Sequence, residues 1–584
     1  MKLLDMFRKK EEVSSPINSM PVNNDTLSQA NVIFQRYRSG LATRDNRIMN
    51  NEQWYRVRNF ATADSEVKPS SAWLFNSICS KHADMMDNIP QANVLPREQA
   101  DEEEAKRLSS IIPCIMKANH FTKAYSDACL DKLKSGTGAY CITWDSSKLN
   151  GLGDIAINAI DPINIYTEPS LDDIQLSPNL FLLTLADNES LKEQYEGIED
   201  HLGITENVRM YAGDNYDTTD KSVVVDWYYK KLITLPDGTQ KHLLHYAKYV
   251  NDFLIYSTEN NDPFTPLYEH GKYPFVMDVL YPIKASAYGF GFIDFGKNPQ
   301  EYIDKADQAI LENIYANAHP RWFIRNDGAV REDEYRDINN KFIHVNGASL
   351  GDDSIRPVTM NQLPSGAIDV LQYKVDELKE TTGNRDVMNG GTQSGVTAAS
   401  AVAALQESGG KLVRDINRMS YQAFEEIVTQ VIELIRQFYD LPRQFRIVGE
   451  QGAYEYITYN NANLQAQSTG VLGGVEGWRL PAFDLDIVAQ KSTQYTKMAN
   501  NELALQLWQQ GFFNPMMAAP ALACLEMMDF DQRDKVKRLI LQNAQMGMAM
   551  MSPTGSGDEV NLDESTESPV TEKARTRANQ TAEV

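Results

Sequence analysis

Apolar residues at Leu412, Ile416, Met419, Ala423, Ile427, Val431, Leu434 and Phe438 recur every three or four positions without a break. That spacing puts all eight on one face of a helix of about 28 residues, roughly 42 Å long at 1.5 Å per residue. No other feature constrains the fold as much, because whatever covers the stripe must run its length. Ahead of it, Thr397 opens an alanine-rich helix to about Glu407, and Ser408-Gly-Gly410 breaks or kinks it. Gly383 to Gly395 is rich in glycine and polar residues and predicts a flexible loop between two helices.

Upstream of that loop, Ile368, Leu371, Val375 and Leu378 predict a helix over Ala367–Thr382. Pro299–Ala318 reads as another, about 20 residues and roughly 30 Å long, with Pro299 in its first turn and Pro320 past its end. Between them, Arg321–Pro364 carries strand signals at Trp322–Arg325 and Lys341–Val345. Two helices bracketing a small β-rich insert predict an antiparallel pair with a projection at its tip.

The N-terminal part begins with a polar arm, then helical spacing at Leu27, Ala30, Phe34, Tyr37 and Leu41. Further helices are predicted around Ser71–Asn88, Asp101–Ala118 and Asn119–Lys134. At Gly136-Thr-Gly138 the texture changes, and Ala139–Asp145 reads as a strand. Strand signals dominate to about residue 285. Val223–Tyr229 with Leu232–Leu235, a Pro236-Asp-Gly-Thr turn, His242–Val250 and Phe253–Tyr256 predict local hairpins. The fold class is therefore α+β with antiparallel sheets, not a doubly wound nucleotide-binding domain. A shorter β segment over 443–488 and methionine-rich and alanine-rich helices over 492–550 follow, and the Ser/Thr/Glu-rich tail is expected to be disordered.

Composition and motifs exclude more than they assign. The 584 residues carry a net charge of −24, which argues against a protein that grips DNA by neutralising its phosphates. Five scattered cysteines without a CxxC pair predict reduced thiols and no disulfide scaffold. The opening residues lack a signal-peptide core, and no run of about 18 apolar residues occurs, so a soluble protein made in the cytoplasm is expected, with no membrane contact. Gly291–Lys297 fits GxxxxGK, but Asn298 stands where a phosphate-binding loop needs Ser or Thr for Mg²⁺. Gly347-Ala-Ser349-Leu-Gly351 fits GxSxG, but the Asp352–Pro357 that follows cannot be the helix such a nucleophile requires. Cys79 and His82 make at most half a metal site. No catalytic residue, metal site or cofactor is predicted.

The order of helix, small β insert, helix, flexible loop and long helix resembles that of the portal (head–tail connector) proteins of tailed bacteriophages, over roughly residues 27 to 550. Matching stretches are Asn51-Glu-Gln-Trp54-Tyr, Gly136-Thr-Gly138 with its strand, Asp161–Pro169, Tyr273-Pro-Phe275, Ala287–Gly291, and above all Gly391–Ala401 with Leu405–Arg414. Departures are the lack of a long C-terminal helical barrel and an acidic tail outside the family pattern. The resemblance implies a portal-like subunit with a mainly helical stem and crown and a β-rich wing and clip. Its parts would be a disordered arm (1–26), wing (27–298), stem helices (299–320 and 365–383), clip (321–364), tunnel loop (384–396), long wing/crown helix (397–440), wing β return (441–490), crown helices (491–550) and tail (551–584).

On the same resemblance, twelve copies would form a ring at one capsid vertex of the virion, through which a terminase motor drives double-stranded DNA. The terminase large subunit, head–tail adaptor or tail proteins, and major capsid and scaffold proteins would be its partners. Arg385, Asn389, Gly390, Gly391, Thr392, Gln393, Ser394 and Gly395 would meet the DNA, with Lys411 and Arg414 better read as salt-bridge residues between subunits. Glu301, Asp304, Lys305, Asp307, Lys374 and Lys379 would line the stem channel, and Glu312 adds to the acid on the first stem helix. The alternatives are a packaging ATPase or other nucleotide hydrolase, resting on Gly291–Lys297, and another virion connector or minor head protein.

Overall fold

The computed structural model describes residues 21–57, 70–203, 220–234, 238–318, 322–324, 333, 355–357, 366–383, 411–448, 454–472 and 475–489, with short stretches between 505 and 541. The chain divides into two compact units, Met1–Lys491 and Ser492–Val584. In the second, the described residues are helical pieces that bury Leu507, Ala521, Leu525 and Ile540. The remainder of this section concerns the first.

Its helical N-terminal part follows the apolar spacing. Helix α1 (Asn24–Gly40) is capped by Asn23, whose side chain accepts from the Thr26 amide at 3.0 Å, and buries Leu27, Ala30, Phe34 and Tyr37. Helices α2 (Ala42–Tyr55), α3 (Trp73–Met86), α4 (Glu102–Ala118) and α5 (Phe121–Ser135) follow. Glu102, Glu103 and Glu104 fill the first turn of α4, where the helix dipole favours negative charge. Gly136, at φ +90°, ends α5 and donates to the Lys132 carbonyl at 2.8 Å.

The strands make small antiparallel sheets, confirming the α+β class. β1 (Pro90–Pro96) precedes α4. β2 (Thr137–Asp145) is central to a three-stranded sheet, between β3 (Asp154–Ile160) and β9 (Phe275–Val279). A five-stranded sheet runs in the order β4 (Ile165–Thr167), β5 (Asn179–Asp187), β6 (Lys221–Thr234), β7 (Gln240–Val250), β8 (Phe253–Ser257). β6 and β7 form one long hairpin, Tyr228 facing Tyr246 and Thr234 facing Gln240, closed near Gly238 at φ +85°. Phe34 of α1 packs edge-on against Tyr166 and Phe181 of this sheet, at ring separations of 5.2 and 5.5 Å.

Three later helices complete the frame. α6 spans Phe292–Ala318, α7 Gly366–Thr382 and α8 Lys411–Phe438. Sequence placed the start of α6 at Pro299; it starts seven residues earlier, with Pro299 inside the helix. Proline disfavours a helix interior because it lacks an N–H and crowds the preceding turn. Here the fully buried Phe292 and Ile293 hold that extra turn in place. α6 and α7 run antiparallel: Gly296 lies against Leu378, and the Lys374 ammonium stands 5.9 Å from the Tyr302 ring. α8 is 28 residues long and buries Ile416, Ala423, Ile427, Val431 and Leu434 as expected, with Phe424 against Phe121 at 5.3 Å. The return segment makes two hairpins, Arg443–Val448 with Tyr454–Tyr459 and Gln467–Leu472 with Val475–Arg479, before Phe483–Ala489 pairs with β1, Leu485 facing Val94. Of the β insert, Trp322–Ile324 pairs antiparallel with Ile355–Pro357. The strand expected at Lys341–Val345, the Gly347–Gly351 motif, the helix from Thr397, residues 1–20 of the arm and the tail lie outside the described residues; residues 21–26, placed in the arm from sequence, instead bury Val22 and open α1.

Gly136 is a point where no side chain fits. Its φ is left-handed, and a Cβ would fall on the backbone of Phe290. Gly136→Ala should therefore lower stability by at least about 2 kcal/mol, read as a lowered midpoint in thermal or urea unfolding of the purified chain.

Candidate functional site

The features that could serve a channel subunit gather on the antiparallel pair α6–α7. The first half of α6 is rooted in the core: Phe292, Ile293, Gly296, Gln300, Ile303 and Asp304 are buried, and no later residue of the helix is. In α7 only Leu378 and Thr382, at the opposite end of the chain direction, are buried. One end of the pair is thus anchored, and the other packs chiefly on itself.

Two buried polar side chains explain the anchoring. Gln300 accepts from the Leu74 amide at 3.0 Å and donates to the Ser71 carbonyl at 2.6 Å. One turn on, Asp304 Oδ1 accepts from both the amide and the hydroxyl of Ser71, at 2.8 and 2.6 Å. The N-terminus of α3 has no cap of its own, and α6 supplies it from outside. Asp304 is 2% exposed, so it takes no place on an open channel wall. That corrects its expected role: its Oδ1 is taken up by one backbone amide and one hydroxyl, both of Ser71. Nothing in the local sequence signals this, since Ser71 and Asp304 lie far apart in the chain.

The other wall candidates are accessible. Glu301 and Lys305 pair at 2.7 Å on exposed turns of α6. Asp307 is half-buried, and burial pushes its carboxyl above the ordinary aspartate value. Glu312 accepts from Gln308 at 2.9 Å. On α7, Lys374 pairs with Glu377 at 2.6 Å and sits by the rings of Tyr302 and Tyr373, while Lys379 stands 5.8 Å from the Trp73 ring. These are neighbouring opposite charges, not a one-sign surface. Arg385, Asn389, Gly390, Gly391, Thr392, Gln393, Ser394 and Gly395 lie outside the described residues. Lys411 and Arg414 are exposed at the start of α8.

Large apolar side chains dominate the rest of the pair's surface. Tyr302, Ile314 and Tyr315 on α6 and Ile368, Val370 and Tyr373 on α7 are each 54–67% exposed. Aromatic and branched side chains left open on adjoining helices mark a surface made to be covered.

The near-match to a phosphate loop has the wrong shape. Residues 292–297 are the opening turns of α6 and not a loop, Phe292 and Ile293 are buried, and the Gly291 amide already donates to the Asp294 carboxylate at 2.9 Å where a phosphate would have to sit. Lys297 therefore has no loop to serve. His82 Nε2 is within 3.0 Å of the Ser126 hydroxyl, which accounts for it without a metal. Among the described residues no group of His, Cys, Asp or Glu has the makings of a metal site, and no helix is long and apolar enough to cross a membrane.

Such a molecule is an α+β structural subunit whose most distinctive surface is an uncovered helix pair. A family model described as the phage P22-like portal protein matches residues 82–582. The chain belongs to that family, and so to the portal proteins of tailed phages, a structural family of the virion. The match runs through the acidic tail, which therefore is not outside the family pattern. No curated protein matches the chain.

Burial raises the Asp304 carboxyl above the ordinary value of 3.8, against the two bonds from Ser71. An acid whose folded pKa is raised holds its proton more tightly when folded. Its stabilising share is present below pH 3.8 and is lost as pH climbs through the raised value. Asp304→Asn keeps the Oδ1 acceptor without the charge. It should equal or exceed the native protein in stability at pH 7, with the difference closing towards pH 4. Asp304→Ala, which strands the Ser71 amide, should cost about 1–3 kcal/mol. Thermal unfolding at both pH values checks the pair, and an Asn variant weaker than native at pH 7 would contradict it.

Proposed function

We propose that twelve copies of this chain form a ring at one capsid vertex, and that the ring is the channel through which double-stranded DNA is packaged and later ejected. The observation that carries this reading is the uncovered apolar surface of α6–α7. Tyr302, Ile314, Tyr315, Ile368, Val370 and Tyr373 stay exposed in one chain, and a neighbouring copy of the same pair is the surface that covers them. A repeated head-to-tail contact of this kind closes into a ring when its rotation divides a full turn.

The charge fits a conduit. Every firm phosphate contact would resist sliding, and the chain carries 80 acidic against 56 basic residues. In this arrangement α6 and α7 are the stem, residues 321–364 the clip outside the shell that meets the terminase large subunit and head–tail adaptor or tail proteins, and the wing faces major capsid and scaffold proteins. Glu301, Lys305, Asp307, Lys374 and Lys379 stand on or beside the channel wall, and Arg385 with Asn389–Gly395 forms the loop that reaches DNA. The ring itself hydrolyses nothing; the motor is a separate terminase.

Electron microscopy of the purified protein should show rings of about twelve subunits with a channel wide enough for duplex DNA. A compact monomer at high concentration that forms no ring beside scaffold or capsid protein would refute the reading. Ile314→Asp with Tyr373→Asp should leave a folded monomer and abolish rings, measured by light scattering. Deleting 390–395 should spare the ring and impair packaging or DNA retention. A nucleotide hydrolase would instead show ATP turnover that Lys297→Ala abolishes; none is expected.

A further inference from the structure

Lysine is rarely buried unless its ammonium is fully employed. Lys81 and Lys132 are nonetheless 1% and 0% exposed, and both point at the same place in the fold. Lys81 Nζ, from α3, donates to the carbonyl of Gly383 at 3.1 Å, immediately past the end of α7, with Asp84 3.7 Å away. Lys132 Nζ, from α5, donates to Asp278 Oδ1 of β9 at 2.6 Å, to the Ser420 hydroxyl at 2.8 Å and to the Ile416 carbonyl at 3.3 Å. Ser420 in turn donates to Asp278 Oδ2 at 2.7 Å. One lysine therefore holds the last residue before 384–410, and the other holds the second turn of the helix that follows.

The two ends also touch each other. Gly383 has φ +66°, and a Cβ there would come within 2.8 Å of Leu412 Cδ2 and 3.9 Å of Lys81 Cε. Thr382 is fully buried beside Ser77, their hydroxyls 3.3 Å apart. A positive charge at the C-terminus of α7 also complements that helix's dipole.

We propose that Lys81 and Lys132 are a pair of positioning residues that clamp the end of α7 to the start of α8, and so fix the two points, Gly383 and Lys411, between which residues 384–410 run. The clamp stands on side chains seen in the structure. Its consequence for DNA rests on the portal reading, in which 384–396 faces the channel.

The test is hydrogen exchange on the full-length purified protein. Lys81→Met keeps the length of the side chain and removes its donor. Lys132→Met alone would strand the Asp278 carboxylate and is expected to misfold, so the second variant is Lys132→Met with Asp278→Asn. Each should raise exchange at least tenfold at its own root, Thr381–Gly383 for the first and Leu412–Ser420 for the second, with Lys221–Val250 unchanged. A rise everywhere alike, or none at either root, would overturn the clamp. DNA packaging by rings of the same variants separates the two claims. Loosened roots with impaired packaging support both; loosened roots with normal packaging support the clamp and count against a DNA-facing role for the segment.

Discussion

The start of α6 is held by a close crossing of backbones, and several elements of the first unit converge there. The turn at Gly136 passes so near the segment Gly289–Gly291 that a Cβ on Gly291 would meet the Lys134 carbonyl at 2.6 Å, and one on Gly289 the Gly136 carbonyl at 2.8 Å. Cross-links reinforce it: Gly289 donates to the Thr137 hydroxyl at 2.9 Å, and Leu280 to the Gly136 carbonyl at 2.9 Å. Around this crossing, Asn51 bridges the Lys134 carbonyl and Asp294, and Arg47 donates to the Gly289 carbonyl. Arg44 donates to the Ile163 and Ile165 carbonyls, and the Tyr288 hydroxyl to Ile165. Four stretches far apart in the chain thus meet at the first turn of α6. Its direction is set there, before any residue of its outer half makes a contact.

That convergence explains which parts of the fold could be read from the chain. Among the stretches that carried the family resemblance, those around Asn51, Gly136, Asp161 and Ala287 are separate in sequence and one cluster in space. Their glycines and asparagine are fixed by backbone approach and by backbone acceptors, constraints that leave a recognisable residue type behind. The stripe on α8 was legible for a different reason: burial along its length demands apolar residues at helical spacing. Pro299 misled because its local preference favours a helix start, and the buried Phe292 and Ile293 outweigh that preference through contacts absent from the local sequence. Asp304 misled because an acid at an exposed-looking helical position cannot show that its partner is Ser71.

The buried lysines left a signal that is plain in retrospect. Leu74, Ile78, Lys81 and Met85 fall on one helical stripe, as do Tyr125, Ala128, Cys129 and Lys132. A lysine in register with core residues must find partners or pay heavily in desolvation. Lys132, on α5, finds three, one on β9 and two on α8, so the charge ties a helix of the N-terminal part and strand β9 to the long helix. An apolar residue there would pack well enough, but it would not choose one rotation of α8 over another. Directional bonds to Asp278, Ser420 and Ile416 do choose.

The outer halves of α6 and α7 follow the opposite logic. Among the described residues, none of α6 after Asp304 is buried, and α7 buries only Leu378 and Thr382. Yet the pair's exposed positions hold Tyr302, Leu311, Ile314, Tyr315, Ile368, Val370 and Tyr373 among the charged residues Lys305, Glu312, Asp369, Asp376 and Glu380. In the ring proposed above, folding of this part would be coupled to assembly, and its apparent stability would rise with protein concentration. The anchored end, capped through Gln300 and Asp304, sets the pair's position in the single chain. In the proposed ring the outer end would take its final packing from neighbouring copies. Rigid placement at one end and dependence on other copies at the other would let a subunit be folded enough to assemble and still need the ring to be complete.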